Sequence, residues 1–116
     1  MGKNNNRAVG AEFEQMAADY LESMGIRVTD RNYSFRGGEI DIVARDHAYI
    51  VFCEVKYRRD TRYGYPEEAV DALKAARIRR TAAGYMLSHH ISENTPVRFD
   101  VISVLGNKIN HIKDAF

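Results

Sequence analysis

The sequence predicts a single α/β domain whose secondary-structure elements follow the order αβββαββ. Apolar residues recur at intervals of three and four over residues 9–24, which is the spacing of one helix face. Two strand-like runs over residues 39–45 and 49–56 are separated by a short polar segment, which predicts a β-hairpin. A second helix follows, and the chain ends in two further strand-like runs that are joined at Gly106 and Asn107.

Composition limits the class of protein. The 116 residues are enough for one modest core, and we expect a flexible tail over residues 1–8 followed by one domain over residues 9–116. Hydrophobic residues make up 45% of the chain and charged residues 28%, as in globular proteins. No apolar stretch has the length of a membrane span, and residues 1–7 lack the apolar core of a signal peptide. The single cysteine, Cys53, falls on a predicted core face, so we expect a cytoplasmic protein with no membrane partner.

The first helix is predicted over residues 9–24 and ends at Gly25, and a strand is predicted over residues 26–35. The apolar positions of this helix are Val9, Phe13, Met16, Ala17, Tyr20, Leu21 and Met24. Glu14 lies roughly 90° from the centre of this apolar stripe. Geometry alone therefore favours an ordinary solvent-facing acid at Glu14 over a residue that reaches the sheet.

The hairpin contains the most informative polar residues. If its tip is the two-residue loop of His47 and Ala48, then Asp41 lies opposite Glu54. In the same register Glu39 lies opposite Lys56. Opposed residues have Cβ atoms about 4.5–5.5 Å apart, so these four side chains would form one patch on one face. The opposite face would be core and would carry Ile40, Ile42, Val51, Cys53 and Val55.

Two carboxylates this close repel each other unless a cation lies between them, which favours a Mg²⁺ or Mn²⁺ site held by Asp41 and Glu54. A lysine beside such a metal, here Lys56, can orient a water or stabilise negative charge on a phosphoryl oxygen. The chemistry indicated is phosphodiester hydrolysis. The alternative is a solvated sheet face on which Glu39 and Lys56 form a cross-strand ion pair and Asp41 faces water.

Basic residues follow this patch, although the net charge of the chain is only +1. Arg58, Arg59 and Arg62 follow Lys56 closely, with Tyr57 before them and Tyr63 and Tyr65 after them. Lys74 lies in a second basic cluster. Basic residues interleaved with aromatic ones suit a phosphate backbone. The alternative is that both clusters are ordinary solvated surface.

The second helix is predicted to open at residues 64–68, with proline at its first position, and to end near Ser88. Strands are predicted over residues 97–105 and 108–113. His89 and His90 are adjacent at a predicted helix end, and neither they nor His111 fall in a ligand pattern with cysteines or carboxylates. We therefore expect them to be surface residues rather than metal ligands.

The motifs together resemble the YraN-like family of bacterial proteins, described as predicted endonucleases similar to archaeal Holliday-junction resolvases. The matching positions are Gly10, Glu14, Ala17, Tyr20, Leu21, Gly25, Arg31, Asn32, residues 37–46, Val51, Phe52, residues 54–56, Arg58, Gly64, Pro66, Ala69, Val70, Lys74 and residues 98–101. The likeness covers residues 9–101. One departure is Phe13, which stands where similar sequences have glycine.

The resemblance implies a restriction-endonuclease-like fold, with a central mixed β-sheet flanked by helices. By position it implies Asp41 and Glu54 as metal ligands, Lys56 as the catalytic lysine and Glu14 as the helix glutamate of the resolvase-type branch. It also implies Glu39 as part of the matched motif, DNA as substrate and a homodimer, since a junction offers two symmetric scissile sites. A non-catalytic nucleic-acid-binding or protein-interaction domain on the same fold is the alternative, because a fold does not by itself establish an activity.

Overall fold

The computed structural model describes the backbone of residues 2–60, 62 and 71–116, and the side chains of these residues from residue 9 onward. The elements are α1 (Gly2–Ser23), β1 (Arg27–Phe35), β2 (Gly38–Asp46), β3 (Tyr49–Arg58), α2 (Ala72–Ser88), β4 (Val97–Leu105) and β5 (Lys108–Ile112). The predicted order αβββαββ is therefore confirmed.

The first helix, α1, starts earlier than its apolar pattern. It begins at Gly2, so helical backbone continues through the polar residues for which we predicted a tail. Once a helix is nucleated, each further residue adds one hydrogen bond whether or not its side chain is apolar. At the other end, Gly25 has φ +79°, and the Ile26 and Gly25 amides donate to the carbonyls of Leu21 and Glu22. These two bonds form a Schellman motif, which explains why the helix stops where glycine predicts.

The five strands form one mixed sheet in the order β1-β2-β3-β4-β5. The central pair, β3 and β4, is parallel, and the other three pairs are antiparallel. A parallel pair requires a crossover, and α2 supplies it between β3 and β4. This arrangement confirms the predicted α/β class and is consistent with the restriction-endonuclease-like fold.

Each helix covers one face of the sheet. Ala17, Ala18 and Leu21 of α1 pack on a face that includes Ile42, Cys53 and Ile102. The members of the core on the α2 side are Ile78, Ala82 and Tyr85 from the helix and Ile40, Val43, Ile50 and Phe52 from the sheet. The sheet is therefore buried on both sides in its centre, and Cys53 is a core residue as predicted.

The predicted hairpin register is confirmed from the turn up to the pair Ile42–Cys53. The β2–β3 pairing described for the two strands ends there, one position before Asp41 and Glu54. On the other side of β2, the pairing with β1 omits Asn32 and Asp41, and Asn32 has a left-handed backbone with φ +55°.

This irregularity exchanges the two faces of β2. Ile42 packs on the α1 side, as expected, but Ile40 packs on the α2 side with Val43. The prediction that Ile40 shares the face of Ile42 was therefore wrong, because strict alternation requires a regular strand and β2 is irregular at Asp41. Asp41 thus lies where the described β2–β3 pairing ends and where the alternation of side chains along β2 is interrupted.

The second helix, α2, is capped by Asp71, whose side chain accepts a 2.8 Å hydrogen bond from the Lys74 amide. The opening that we predicted at residues 64–68 lies outside the described residues. No helix in the described part of the chain has the length and apolar character that a membrane crossing requires.

A buried ionic cluster joins β4 to its neighbours. Asp100 is fully buried and accepts from Arg98 Nε and Nη2 at 2.9 and 3.0 Å. His111 Nε2 lies 2.6 Å from Asp100 Oδ2, and Tyr20 Oη lies 3.1 Å from His111 Nδ1. The prediction that His111 is a surface residue was wrong. Its carboxylate partner lies on the neighbouring strand and is distant in the sequence.

Candidate active site

A cavity of about 310 Å³ opens where β2 and β3 part. Its wall carries three carboxylates, from Glu39, Asp41 and Glu54, and two cations, from Lys74 and Arg77 of α2. Gly37 and Ile78 complete the described lining. We refer to this feature as the acidic cavity. The structure thus brings together Asp41 and Glu54, as predicted, and adds charged groups from a helix to a site that the hairpin alone was expected to form.

Glu54 is held between two lysines. Its Oε1 atom lies 3.1 Å from Lys74 Nζ and 3.4 Å from Lys56 Nζ, and the residue is only 6% exposed. A buried carboxylate requires partners of opposite charge, and the two ammonium groups meet that requirement. The Glu39–Lys56 pair that the alternative interpretation expected is replaced by Glu54–Lys56, and Glu39 remains exposed at the cavity wall.

Asp41 is in a different electrostatic state. Its Oδ2 accepts a 2.8 Å hydrogen bond from the Val55 amide. Burial, followed by the negative charge of Glu54, raises the pKa of Asp41 to about 7, and the charges of Glu14 and Glu39 act in the same direction. The Val55 amide opposes this shift but does not cancel it. Asp41 is therefore a buried carboxyl beside other acids, and a proton or a cation there is favoured.

The two lysines influence each other. Burial lowers the pKa of Lys56, and the neighbouring Lys74 lowers it further, while Glu54 opposes the change. Burial also lowers the pKa of Lys74, but its contacts with Lys56, Glu54 and Asp41 outweigh this effect, so its pKa is raised. Lys74 is thus the better permanent cation, and Lys56 is the lysine that more readily gives up a proton.

Glu14 approaches the site from α1 on the other side of the sheet. Its Oε1 lies 3.0 Å from Asn32 Nδ2 and 3.4 Å from Arg31 Nη2, so it is neither a free surface acid nor part of the described cavity wall. Its charge nevertheless contributes to the raised pKa of Asp41. Asn32 is the residue whose left-handed backbone lies at the irregularity beside Asp41. The positions of Glu14 and Asp41 are thus set by the same distortion of the sheet.

The donors of the acidic cavity suit a hard divalent cation. Among the described residues, no three His, Cys, Asp or Glu side chains are arranged to enclose a metal. Mg²⁺ does not require such an enclosure, because it usually binds through one or two carboxylates, retains several waters and completes its shell with substrate phosphate. Asp41 and Glu54 fit that pattern, and the acids beside Asp41 favour a cation there.

The predicted nucleic-acid-binding residues divide into two groups. Lys74 belongs to the acidic cavity, whereas Arg58, Arg59 and Arg62 line a second cavity of about 560 Å³ with Phe13 and Tyr57. We call this second feature the arginine cavity. Phe13, the residue that departs from the family pattern, stacks on Tyr57 there.

Arg77 of the acidic cavity and Gly38 next to the cavity were not predicted as site residues from the sequence. Arg77 lies three positions after Lys74 on α2, a spacing that places both on one helix face and that could have identified it. Gly38 is buried against Thr81 of α2, and a Cβ at this position would collide with the threonine hydroxyl. The adjacent Gly37 has φ +81°, so the two glycines allow the β1–β2 turn to pass close under the helix.

Residues 13–104 match the protein family described as "Uncharacterised protein family UPF0102". The chain belongs to the UPF0102 family. A UPF0102 protein of Lachnoclostridium phytofermentans is 47% identical over 112 residues, covering 97% of this chain and 95% of that protein. A UPF0102 protein of Persephonella marina is 47% identical over 107 residues, covering 92% and 91%. A UPF0102 protein of Symbiobacterium thermophilum is 50% identical over 99 residues, covering 85% and 83%.

The UPF0102 match confirms the YraN-like resemblance and includes every described residue of the acidic cavity. The UPF0102 relatives are matched over most of their own length. The two-helix, five-strand domain therefore represents most of each of these proteins.

Proposed function

We propose that this protein is a metal-dependent nuclease that hydrolyses phosphodiester bonds in DNA at the acidic cavity. The observation that carries the proposal is the pairing of Asp41 with Glu54 at the gap between β2 and β3. One carboxylate there is buried beside other acids, and the other is already matched by two lysines. Burial and the nearby charge of Glu54 raise the pKa of Asp41 to about 7, a shift of the kind that catalytic carboxylates show.

Asp41 and Glu54 would hold Mg²⁺ or Mn²⁺, which when bound supplies Lewis-acid stabilisation of a phosphoryl oxygen and acidifies a water. Lys56 lies 3.4 Å from Glu54 and is the group with the lowered pKa, so it is suited to accept a proton from the attacking water or to orient it. Lys74, with its raised pKa, stays charged and attracts the phosphate. Glu14 accepts a hydrogen bond from Asn32, and its negative charge helps to raise the pKa of Asp41.

Cleavage of labelled DNA substrates in Mg²⁺ or Mn²⁺ tests the proposal. Linear, flapped and four-way-junction substrates should be compared for the parent, Asp41→Asn, Glu54→Gln and Lys56→Met. We expect all three variants to lose cleavage while they retain DNA binding. Glu12→Gln is a matched control, because Glu12 is an exposed acid near Glu14 on α1, and it should cut as the parent does. Equal cleavage by the parent and Asp41→Asn would refute the assignment.

A non-catalytic nucleic-acid-binding domain is the second candidate, favoured by the two lysines that already occupy Glu54. Such a protein would bind DNA with an affinity that falls steeply as salt rises, and it would show no metal-dependent cleavage of any substrate. The buried cysteine supports a reducing, cytoplasmic setting for either activity. The homodimer implied by the resemblance is tested by light scattering of the purified protein.

A further inference from the structure

The arginine cavity lies three to four residues further along β3 than the acidic cavity and is lined on the α1 side of the sheet by Phe13 and Tyr57, whereas α2 lines the acidic cavity. Because β3 pairs regularly with β4 from Ile50 to Arg58, its side chains alternate without interruption, so Glu54, Lys56 and Arg58 lie on one face. Each step of two residues covers about 6.6 Å. A chain of phosphates that contacts Lys56 can therefore continue to Arg58, whereas Tyr57 between them faces the α1 side of β3. The described β2–β3 pairs end at Cys53, so a nucleotide at this edge of β3 can contact Arg58 from one face and Tyr57 from the other.

An aromatic pair stands beside these arginines. The rings of Phe13 and Tyr57 are stacked, with centroids 4.6 Å apart and an angle of 15° between their planes. Tyr57 is still 40% exposed although Phe13 covers one side of it. Nucleobases stack on tyrosine platforms of this kind regardless of sequence, because every base has a π face.

Arg58 supplies a second, independent indication of a ligand. Its Nε atom is buried and has no hydrogen-bond partner among the residues that the structure describes. Buried donors in folded proteins are nearly always paired, so this group calls for an acceptor. Arg59 and Arg62 are exposed at the same cavity, where Asp60 lies 3.9 Å from Arg62 and offsets part of its charge. Arg58 and Arg59 therefore carry the positive charge that favours an anionic acceptor such as phosphate.

We propose that the arginine cavity binds an unpaired nucleotide that adjoins the phosphate held at the acidic cavity. Its base stacks on Tyr57, and its phosphate contacts Arg58 and Arg59. This inference rests on the proposed nuclease function and narrows its substrate class to DNA with a single-stranded segment beside the cleavage point, such as a flap or the unpaired arm of a branch. In a blunt duplex the base is already paired and stacked within the helix, so it is not free to occupy the platform.

The chain contains no tryptophan, so Tyr57→Trp introduces a single fluorescent reporter at the platform. Tyr49→Trp is the matched control, because Tyr49 lies on the same strand at its opposite end and is 42% exposed. We expect oligothymidylate in EDTA to quench the indole at position 57 and to leave the indole at position 49 unchanged. A flapped duplex should quench position 57, and a blunt duplex should not.

A ligand control uses the parent protein and therefore does not depend on the folding of any variant. An abasic oligonucleotide has the phosphates of oligothymidylate without its bases. The parent should bind it at least about fivefold more weakly, since stacking of one base is worth about 1–3 kcal/mol, or roughly 5–150-fold. Tyr57→Leu should weaken binding of oligothymidylate by a similar factor and leave abasic binding unchanged. Arg59→Gln should weaken binding of both.

The outcomes separate this inference from the nuclease proposal. Binding of oligothymidylate with no quenching at position 57, or equal affinity for abasic and thymidine strands, overturns the base platform while metal-dependent cleavage still decides the function. Quenching at position 57 without any cleavage supports the platform and refutes the nuclease. Absence of single-strand binding by the parent overturns the platform, and the cleavage assay then decides the nuclease proposal by itself.

Discussion

The amide of Val55 donates a 2.8 Å hydrogen bond to Asp41 Oδ2 across the gap between β2 and β3. This bond replaces a rung of the β2–β3 ladder with a contact between main chain and side chain. It fixes the carboxylate beside the strand that carries Glu54 and Lys56. The main chain of β3 therefore fixes the Asp41 carboxylate, whereas the side chains of Lys56 and Lys74 hold that of Glu54.

The raised pKa of Asp41 predicts how stability depends on pH. The pKa of Asp41 is about 7 in the folded state and 3.8 in the unfolded chain. The contribution of this carboxyl to folding stability is therefore fully present below pH 3.8 and is lost as pH rises through 7. Without added metal, Asp41→Asn should therefore be more stable than the parent at pH 8, by about 2–4 kcal/mol. Denaturant unfolding should show this difference shrinking toward zero near pH 4. A variant that is less stable than the parent at pH 8 would contradict the assignment.

Metal binding should have the opposite dependence on pH. Because a proton on Asp41 competes with the cation, the affinity for Mg²⁺ should fall as pH decreases from 8 to 6. Isothermal titration at the two pH values measures this, with Asp41→Asn as the variant that should lose binding. The same affinity at both pH values would mean that Asp41 is not a ligand.

Removal of Lys74 should change the titration of Lys56. Burial is the first cause of the lowered pKa of Lys56, and Lys74 is the second. In Lys74→Met the second cause is absent, so the pKa of Lys56 should move upward toward 10.5. Nuclear magnetic resonance of the lysine side chains measures the change, and Arg80→Met, which removes an exposed cation of the same helix, is the control. An unchanged Lys56 in Lys74→Met would show that the two lysines do not interact.

The Asp100 cluster should be essential to the fold. Its contacts with His111, Arg98 and the Asp114 amide hold the pKa of Asp100 low against the effect of burial. The contribution of the ionised Asp100 to folding stability is present above pH 3.8 and is lost as pH falls through the lower pKa of the folded state. Asp100→Asn leaves buried cations without a full partner and should cost about 3–5 kcal/mol at pH 7. Thermal unfolding beside the exposed control Glu93→Gln measures it, and a loss no larger than the control's would count against the cluster.

The position of Gly38 predicts a coupling between the β1–β2 turn and α2. Gly38→Ala must displace Thr81 and with it the helix that carries Lys74 and Arg77. We expect a loss of stability of roughly 1–3 kcal/mol, as for other overpacked sites, together with weaker metal binding. Thr81→Ala in the same chain should restore both, since it removes the hydroxyl in the way. Failure of this rescue would locate the effect in the turn itself.

The sequence predicted the hairpin register because a two-residue turn determines which residues face each other, and this register places Asp41 beside Glu54. It could not predict the side of Ile40, since strict alternation fails in β2 at Asp41 and the sequence carries no signal of that. Nor could it predict that Lys74 would reach Glu54. That contact joins residues 20 positions apart through a crossover helix, whereas local patterns report only neighbours along one element.

The buried position of His111 was unpredictable for a related reason. Asp114, three positions on, is the acid nearest to it in the sequence, but the pairing of β5 with β4 brings it to Asp100 instead. Residues 98–101, which the resemblance included, are absent from the described lining of the acidic cavity. Arg98 and Asp100 tie the strand beside β3 to the rest of the sheet, so their part in the motif is to hold the fold.

The parting of β2 and β3 also has a consequence for how such a site can diversify. The Val55 amide contacts Asp41 through the main chain, and no substitution except proline removes that donor. Side chains at the mouth of the cavity can therefore vary between relatives, and with them the preferred substrate, while the polypeptide backbone keeps its share of the site. A protein that keeps this fold therefore also keeps the main-chain donor at this position.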